Sequence, residues 1–246
     1  MLVVGFPAGL FAANCYVVAP SAGERCVVID PGQDAVPALS EVLREHRLRP
    51  AAVLLTHGHI DHMWSAFPVC DAHGVAAYIH SRDRDRLADP VRTLSADLVA
   101  ALGLAGVTFS EPDEVRELTD DTVLDVAGLE FVADHTPGHT EGSVVFRTAD
   151  GGLDGEPLMF SGDLLFAGSI GRSDNIGGDP VAMQASLSWA LTLPDHTVVL
   201  PGHGGSTTIG HERATNPHLR GLVGGVGGSG GPSLPRGAGA IGTARP

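Results

Sequence analysis

The chain has 246 residues, 43% hydrophobic and 18% charged, which is enough apolar content for a sizeable core and excludes a largely disordered chain. Its formal net charge is −14, every basic residue is arginine and no arginine run interrupts the acidic total, which argues against a nucleic-acid partner. Three cysteines (Cys15, Cys26 and Cys70), none in a CxxC pair, exclude a disulfide framework and fit a reducing compartment.

The stretch Met1–Val18 is apolar but lacks a basic leader, and Pro7 and Asn14 break it. It reads as two strands joined by a turn, not as a targeting signal or membrane span, and a cytoplasmic location is expected. Short apolar runs predict strands at Leu2–Phe6, Cys15–Ala19, Cys26–Asp30, Ala51–Leu55, Ala76–Ile79, Thr122–Val126, Leu129–Ala133, Ser143–Arg147, Leu158–Ser161 and Thr197–Leu200. Helices are expected at Val36–Arg47, Asp61–Cys70, Ser81–Ala88 and Asp179–Leu191. Pro180 sits just inside the start of the last, a favoured position. Arg82, Arg84 and Arg86 alternate with Asp83 and Asp85, which reads as a solvated helix face. Strands come first and then alternate with helices, twice over, which suggests one layered α/β domain over residues 1–220. Glycine and proline dominate residues 221–246, which read as a flexible tail.

The stretch THGHIDH, residues 56 to 62, follows an apolar run directly and crowds His57, His59, Asp61 and His62 together. Three later stretches add one candidate each: TPGHTEGS carries His139, FSGDLLF carries Asp163 and LPGHGG carries His203. Each lies at an expected strand end or in the loop beside one, where layered α/β folds form their sites. Imidazole nitrogens and carboxylate oxygens suit zinc and iron. One zinc ion takes about three or four protein ligands. Seven candidates therefore fit two ions roughly 3.5–4 Å apart sharing a carboxylate.

On these motifs the chain resembles the metallo-β-lactamase superfamily. The flanking residues TPGHTEGSV, SGDLLF with GSIGRSD, and PGHG with ERATNPHL are similar to the glyoxalase II-like hydrolases. The resemblance implies a four-layer αββα sandwich with a dinuclear site at one edge. By that pattern His57, His59 and His139 hold one divalent ion, Asp61, His62 and His203 hold a second, and Asp163 bridges them. Zinc is the first expectation, with iron or manganese also accommodated. Asp61 and Asp163 are the carboxylates expected at the reaction centre.

The implied activity is hydrolysis of a small-molecule thioester by a metal-bridging hydroxide, with no nucleic-acid or membrane partner. Class B β-lactamases of the superfamily lack the bridging aspartate, and the quorum-signal lactonases carry a tyrosine soon after it, where this chain has Leu164-Leu165-Phe166. Two alternatives stay open. One is a persulfide dioxygenase with a single iron on His57, His139 and Asp163, a group that shares the segment Gly171-Arg172-Ser173-Asp174. The other is a non-catalytic metal-binding protein. The helical domain that grips glutathione in full-length glyoxalases has no counterpart after Gly221, which leaves the thiol open between glutathione and another carrier. Arg172 is a candidate to orient a substrate carboxylate or to pair with Asp174. Thr56, Asp30 and Thr140 are candidates to support ligands by hydrogen bonds, and His135 is a candidate neighbour of His139. Glu212 and Asn216 read as helix-surface or packing positions. The sequence is silent on oligomeric state.

Overall fold

The computed structural model describes residues 1–222 apart from 105, 149–151, 153 and 154. The expected tail lies outside the described residues from 223 onward. The first sheet has six strands in chain order: β1 Leu2–Ala8, β2 Ala13–Ala19, β3 Arg25–Ile29, β4 Arg49–Leu54, β5 Ala77–His80 and β6 Val115–Leu118. The second half contributes β7 Thr122–Val126, β8 Leu129–His135, β9 Val144–Thr148, β10 Leu158–Gly162, a small hairpin of β11 Leu165–Phe166 and β12 Ser169–Ile170, then β13 Val198–Pro201 and β14 Thr207–Thr208. The second sheet is ordered β14-β13-β10-β9-β8-β7. The helices are α1 Ala35–His46, α2 Ile60–Met63, α3 Ala66–His73, α4 Ala96–Ala101, α5 Pro180–Ala190 and α6 Ile209–Thr215.

Three apolar layers explain the uninterrupted hydrophobic runs, because strands buried on both faces need no polar alternation. Val28 and Val53 face outward from the first sheet and pack with Leu39 and Leu43 of α1 and Val69 of α3. Their neighbours Val27, Ile29 and Leu54 face inward and meet Phe131, Phe146 and Phe160 of the second sheet. Val145, Met159 and Val199 face outward from that sheet onto Met183 and Leu187 of α5 and Ile209 of α6. The result is the expected αββα sandwich. Both faces of each sheet are covered.

The structure departs from the expected elements in definite places. The helix expected over Asp61–Cys70 is broken into α2 and α3. The break falls at Ser65, whose backbone N–H donates to the Pro31 carbonyl and whose hydroxyl donates to the Gly32 carbonyl at 2.7 Å. Residues Ser81–Arg86 form a 3₁₀ turn, and the solvated face expected there is wrong for two of its members. Asp83 and Arg86 are buried and paired at 3.1 Å. Strands β6, β11, β12 and β14 and helices α4 and α6 are not among the expected elements.

Phe131 is fully buried between the sheets, 6.3 Å ring to ring from Phe160. Phe131→Ala is expected to cost about 3–5 kcal/mol in urea unfolding, through lost transfer energy and the cavity left behind. A cost below about 1 kcal/mol would mean that this layer is loosely packed.

Candidate metal centre

The site lies where the two sheets meet at one rim. Strand β4 delivers Thr56, His57, Gly58 and His59 into a loop, and α2 then presents Asp61 and His62. His139 lies in the loop between β8 and β9, Asp163 directly follows β10, and His203 follows β13. Backbone hydrogen bonds lock these loops across the sandwich: Asn14 N–H to the Gly202 carbonyl at 2.7 Å and Val144 N–H to the Thr56 carbonyl at 2.8 Å. The Asn14 carboxamide adds donations to the carbonyls of Pro201 and Gly204.

All seven candidate ligands converge. His57, His59 and His139 form one group, and Asp61, His62 and His203 form another. In the first, His59 Nδ1 lies 3.1 Å from His57 Nε2 and 2.8 Å from His139 Nε2. In the second, His203 Nε2 lies 3.2 Å from His62 Nε2 and 3.4 Å from Asp61 Oδ2. Asp163 stands between them, its Oδ2 3.3 Å from His139 Nε2 and 3.6 Å from His203 Nε2.

The outer ring nitrogens decide what these inner atoms are. His139 Nδ1 donates to the Arg172 carbonyl at 2.7 Å and His203 Nδ1 to the Phe11 carbonyl at 3.1 Å. A carbonyl only accepts, so each Nδ1 carries the hydrogen and Nε2 keeps a lone pair when the ring is neutral. Thr56 donates its hydroxyl hydrogen to Asp30 Oδ2 at 2.6 Å, so it accepts from His57 Nδ1 at 3.0 Å. His62 Nδ1 faces the same Asp30 oxygen at 3.0 Å. When their rings are neutral, His57, His139 and His203 therefore each turn an Nε2 lone pair inward, about 3 Å from His59 Nδ1 or His62 Nε2, and the buried Asp163 Oδ1 has no hydrogen-bond partner. Such an inward-facing N/O donor set fits divalent cations, which satisfy all of these atoms at once.

Charge on the side chains divides the same way. Burial, then repulsion from the neighbouring histidines, holds His57 well below the ordinary histidine value, and burial also lowers His59 and His139. Burial opposes charge on His62 as well, but Asp163, Asp61 and Asp30 outweigh it and push the ring up to about 10. Partial burial opposes the charge on Asp61, yet His62, His203 and His59 keep it well below the usual carboxylate range.

Close approach is built in at two glycines. A Cβ on Gly202 would sit 2.3 Å from Asp163 Oδ1, and one on Gly171 would overlap the Asp163 carbonyl and stand 3.3 Å from His139 Nδ1.

The supporting residues are sorted by the geometry. Thr56 and Asp30 contact ligand rings as expected. Thr140 does not: it donates to Asp83 at 2.6 Å. Asp83 was missed by sequence reasoning, yet it is fully buried and also accepts from Gly58 N–H at 2.8 Å and Gly142 N–H at 3.0 Å. It thereby ties the His57–His59 loop to the His139 loop. His135 stacks on His80 at 4.0 Å, and its Nε2 bonds the Glu141 carbonyl. The Arg172 side chain is exposed and paired with Asp174 at 2.8 Å, while its backbone carbonyl serves His139. Glu212 and Asn216 are buried in packing positions, and Glu212 accepts from Gly168 N–H, Thr207 and Asn216.

Comparison with known proteins agrees with this architecture. The family model described as the metallo-beta-lactamase superfamily matches residues 8–203, and the chain belongs to that superfamily. An uncharacterized protein of Mycobacterium tuberculosis is 50% identical over 90% of this chain and 99% of its own length. The hydroxyacylglutathione hydrolase GloC of Haemophilus influenzae is 31% identical over 87% of this chain and 95% of its own. Among solved structures, the B3 metallo-beta-lactamase BLEG-1 is 36% identical with a TM-score of 0.76, covering 89% of this chain and 100% of its own. TTHA1623, solved in a di-iron-bound form, is 36% identical with a TM-score of 0.73 over 88% and 100%.

The charge pattern sets the pH response of the metal-free protein. His57, His59 and His139 are lowered from 6.5, so below about 6.5 the unfolded chain binds more protons and stability is lost as the pH drops. His62 is raised, so its contribution is full below 6.5 and is lost as pH rises toward about 10. The thermal midpoint of chelator-treated protein is therefore expected to peak near neutral pH and fall on both sides. A midpoint that climbs steadily from pH 7 to pH 10 would contradict this assignment of charge.

Proposed function

We propose that this protein is a dinuclear metal-dependent hydrolase of small-molecule thioesters, acting in the cytoplasm. The observation that carries the reading is the position of Asp163, with one carboxylate oxygen facing both three-residue groups. His57, His59 and His139 would hold one ion, Asp61, His62 and His203 the other, with Asp163 shared. Two bound divalent ions would supply acidification of a water and polarisation of the acyl carbonyl.

The chain's own residues do the rest. Hydrogen bonds donated by the ring Nδ1 atoms to Thr56, Asp30 and the Arg172 and Phe11 carbonyls hold the rings in one orientation, so no side-chain reorganisation accompanies the reaction. Asp61, kept ionised by its histidine neighbours, accepts a hydrogen bond from the attacking water and orients it. The water gives up a proton to solvent as its oxygen bonds to the acyl carbon, the carbon–sulfur bond breaks with its electron pair going to sulfur, the thiolate leaves, and the new carboxylic acid releases the second proton to solvent. A thiolate needs little protonation, which suits a centre without a dedicated acid. The cysteines do not compete as nucleophiles, because all three are buried and burial pushes the thiols of Cys26 and Cys70 up to about 12. The likeness to GloC supports a thioester substrate. Arg86 is buried against Asp83 and Arg172 is exposed and paired with Asp174, and the thiol carrier stays open between glutathione and another low-molecular-weight thiol.

The test is thiol release from a panel of acyl thioesters. Hydrolysis is expected, lost on chelation and restored by zinc, iron or manganese. Asp163→Ala is expected to lower the rate by about 100-fold or more, equivalent to about 2.7 kcal/mol of barrier. Oxygen consumption with persulfides, and no hydrolysis of any thioester, would replace this reading with the single-iron dioxygenase.

A further inference from the structure

Five histidine rings converge at the centre, and four have a firm acceptor at the outer nitrogen. His59 is the exception. It points Nδ1 inward, so its outer atom is Nε2, and among the described residues the only side chain within hydrogen-bonding range of Nε2 is Asn175, through its carboxamide nitrogen at 3.5 Å. That contact is too long for a firm bond and has the wrong chemistry for a ligand. If Nδ1 is to offer a lone pair to a cation, Nε2 must carry the hydrogen and needs an acceptor, not a donor.

The surroundings of Asn175 show how this is met. Its Oδ1 is buried without a partner. A Cβ built on Gly178 would lie 2.5 Å from Asn175 Oδ1 and 2.5 Å from the Ser173 carbonyl oxygen, so two acceptors are turned toward one side of the same glycine. The two ends of a carboxamide have the same shape, and the hydrogen-bond partners decide which is oxygen. A half-turn of the amide puts an acceptor, Oδ1, in the place of the nitrogen that faces His59 Nε2 at 3.5 Å, and puts the NH₂ group on the side of Gly178 where the Ser173 carbonyl lies. Both mismatches are removed together.

We infer that Asn175 is a positioning residue: its side-chain oxygen accepts from His59 Nε2–H and thereby commits Nδ1 to the metal. The inference rests on the metal-centre reading above. It gives the segment Gly171–Asp179 a single purpose. The Arg172 carbonyl in this segment orients His139, Asn175 orients His59, and Asp179 N–H is tied to the Gly138 carbonyl at 2.9 Å beside the His139 loop. Two of the three ligands in one group are then held from one loop.

The test uses zinc as the probe, titrated into chelator-treated full-length protein against a chromophoric competitor. Asn175→Leu keeps the shape and removes the acceptor, whereas Asn175→Asp keeps an acceptor. Wild type is expected to show two zinc-binding events. Asn175→Leu is expected to weaken one of them by about 10–100-fold and to leave the other unchanged, the loss typical of an outer partner of a metal-bound histidine. Asn175→Asp is expected to bind as tightly as wild type, and the metal-free thermal midpoints of all three to agree. Unchanged zinc affinity in Asn175→Leu would overturn the role, as would equal weakening in Asn175→Asp, which would point to packing alone. A wild-type protein that binds no zinc, iron or manganese would remove the metal centre itself, and this role with it.

Discussion

The constraint on which the structure depends is the inward turning of nitrogen lone pairs. An imidazole with its hydrogen committed to an outer acceptor has no freedom left at the other nitrogen. Asp30, Thr56 and the carbonyls of Phe11 and Arg172 impose that commitment on four rings. The inner atoms then face each other at about 3 Å with nothing of their own to share, except the proton that Asp163, Asp61 and Asp30 hold on His62. Side chains left to themselves would rotate apart. They stay because burial, close-packed glycines and backbone hydrogen bonds leave them nowhere to go.

The sandwich supplies that rigidity. Each sheet is apolar and packed on both faces, so its strands are held in place by interdigitation with the layers on either side, where a shift would open cavities and force clashes. The ligands sit at strand ends and in adjoining loops, where the position of the backbone is set by the sheet. Asp83 connects two of these loops from outside, receiving two backbone N–H groups, a hydroxyl and a guanidinium. A buried carboxylate with four donors is fully satisfied, and removing it would take that acceptor from the Gly58 and Gly142 N–H groups and the Arg86 guanidinium at once.

Much of this was legible in the chain. The longer strands announced themselves as apolar runs, and the seven candidate ligands stand in motifs whose residue types have little other reason to cluster. What stayed hidden depends on distant partners or on short polar segments. Strand β6, Val115–Leu118, carries arginine and glutamate and has only Leu118 fully buried, so no apolar run marks it. The split between α2 and α3 is caused by carbonyls more than thirty residues earlier in the chain. Asp83 and Arg86 looked like a solvated charge run because the groups that bury them come from Gly58, Thr140 and Gly142. Asn175 carried no signal, since one asparagine in a glycine-rich loop reads as a turn.

The central claim is that two complete ligand groups share Asp163 and hold two ions. The most direct measurement is the metal content per chain by elemental mass spectrometry, on protein purified without chelator. About two divalent ions per chain are expected. A single ion per chain, unchanged after incubation with excess zinc, iron or manganese, would contradict it and leave Asp61, His62 and His203 as an ion-paired cluster without a metal.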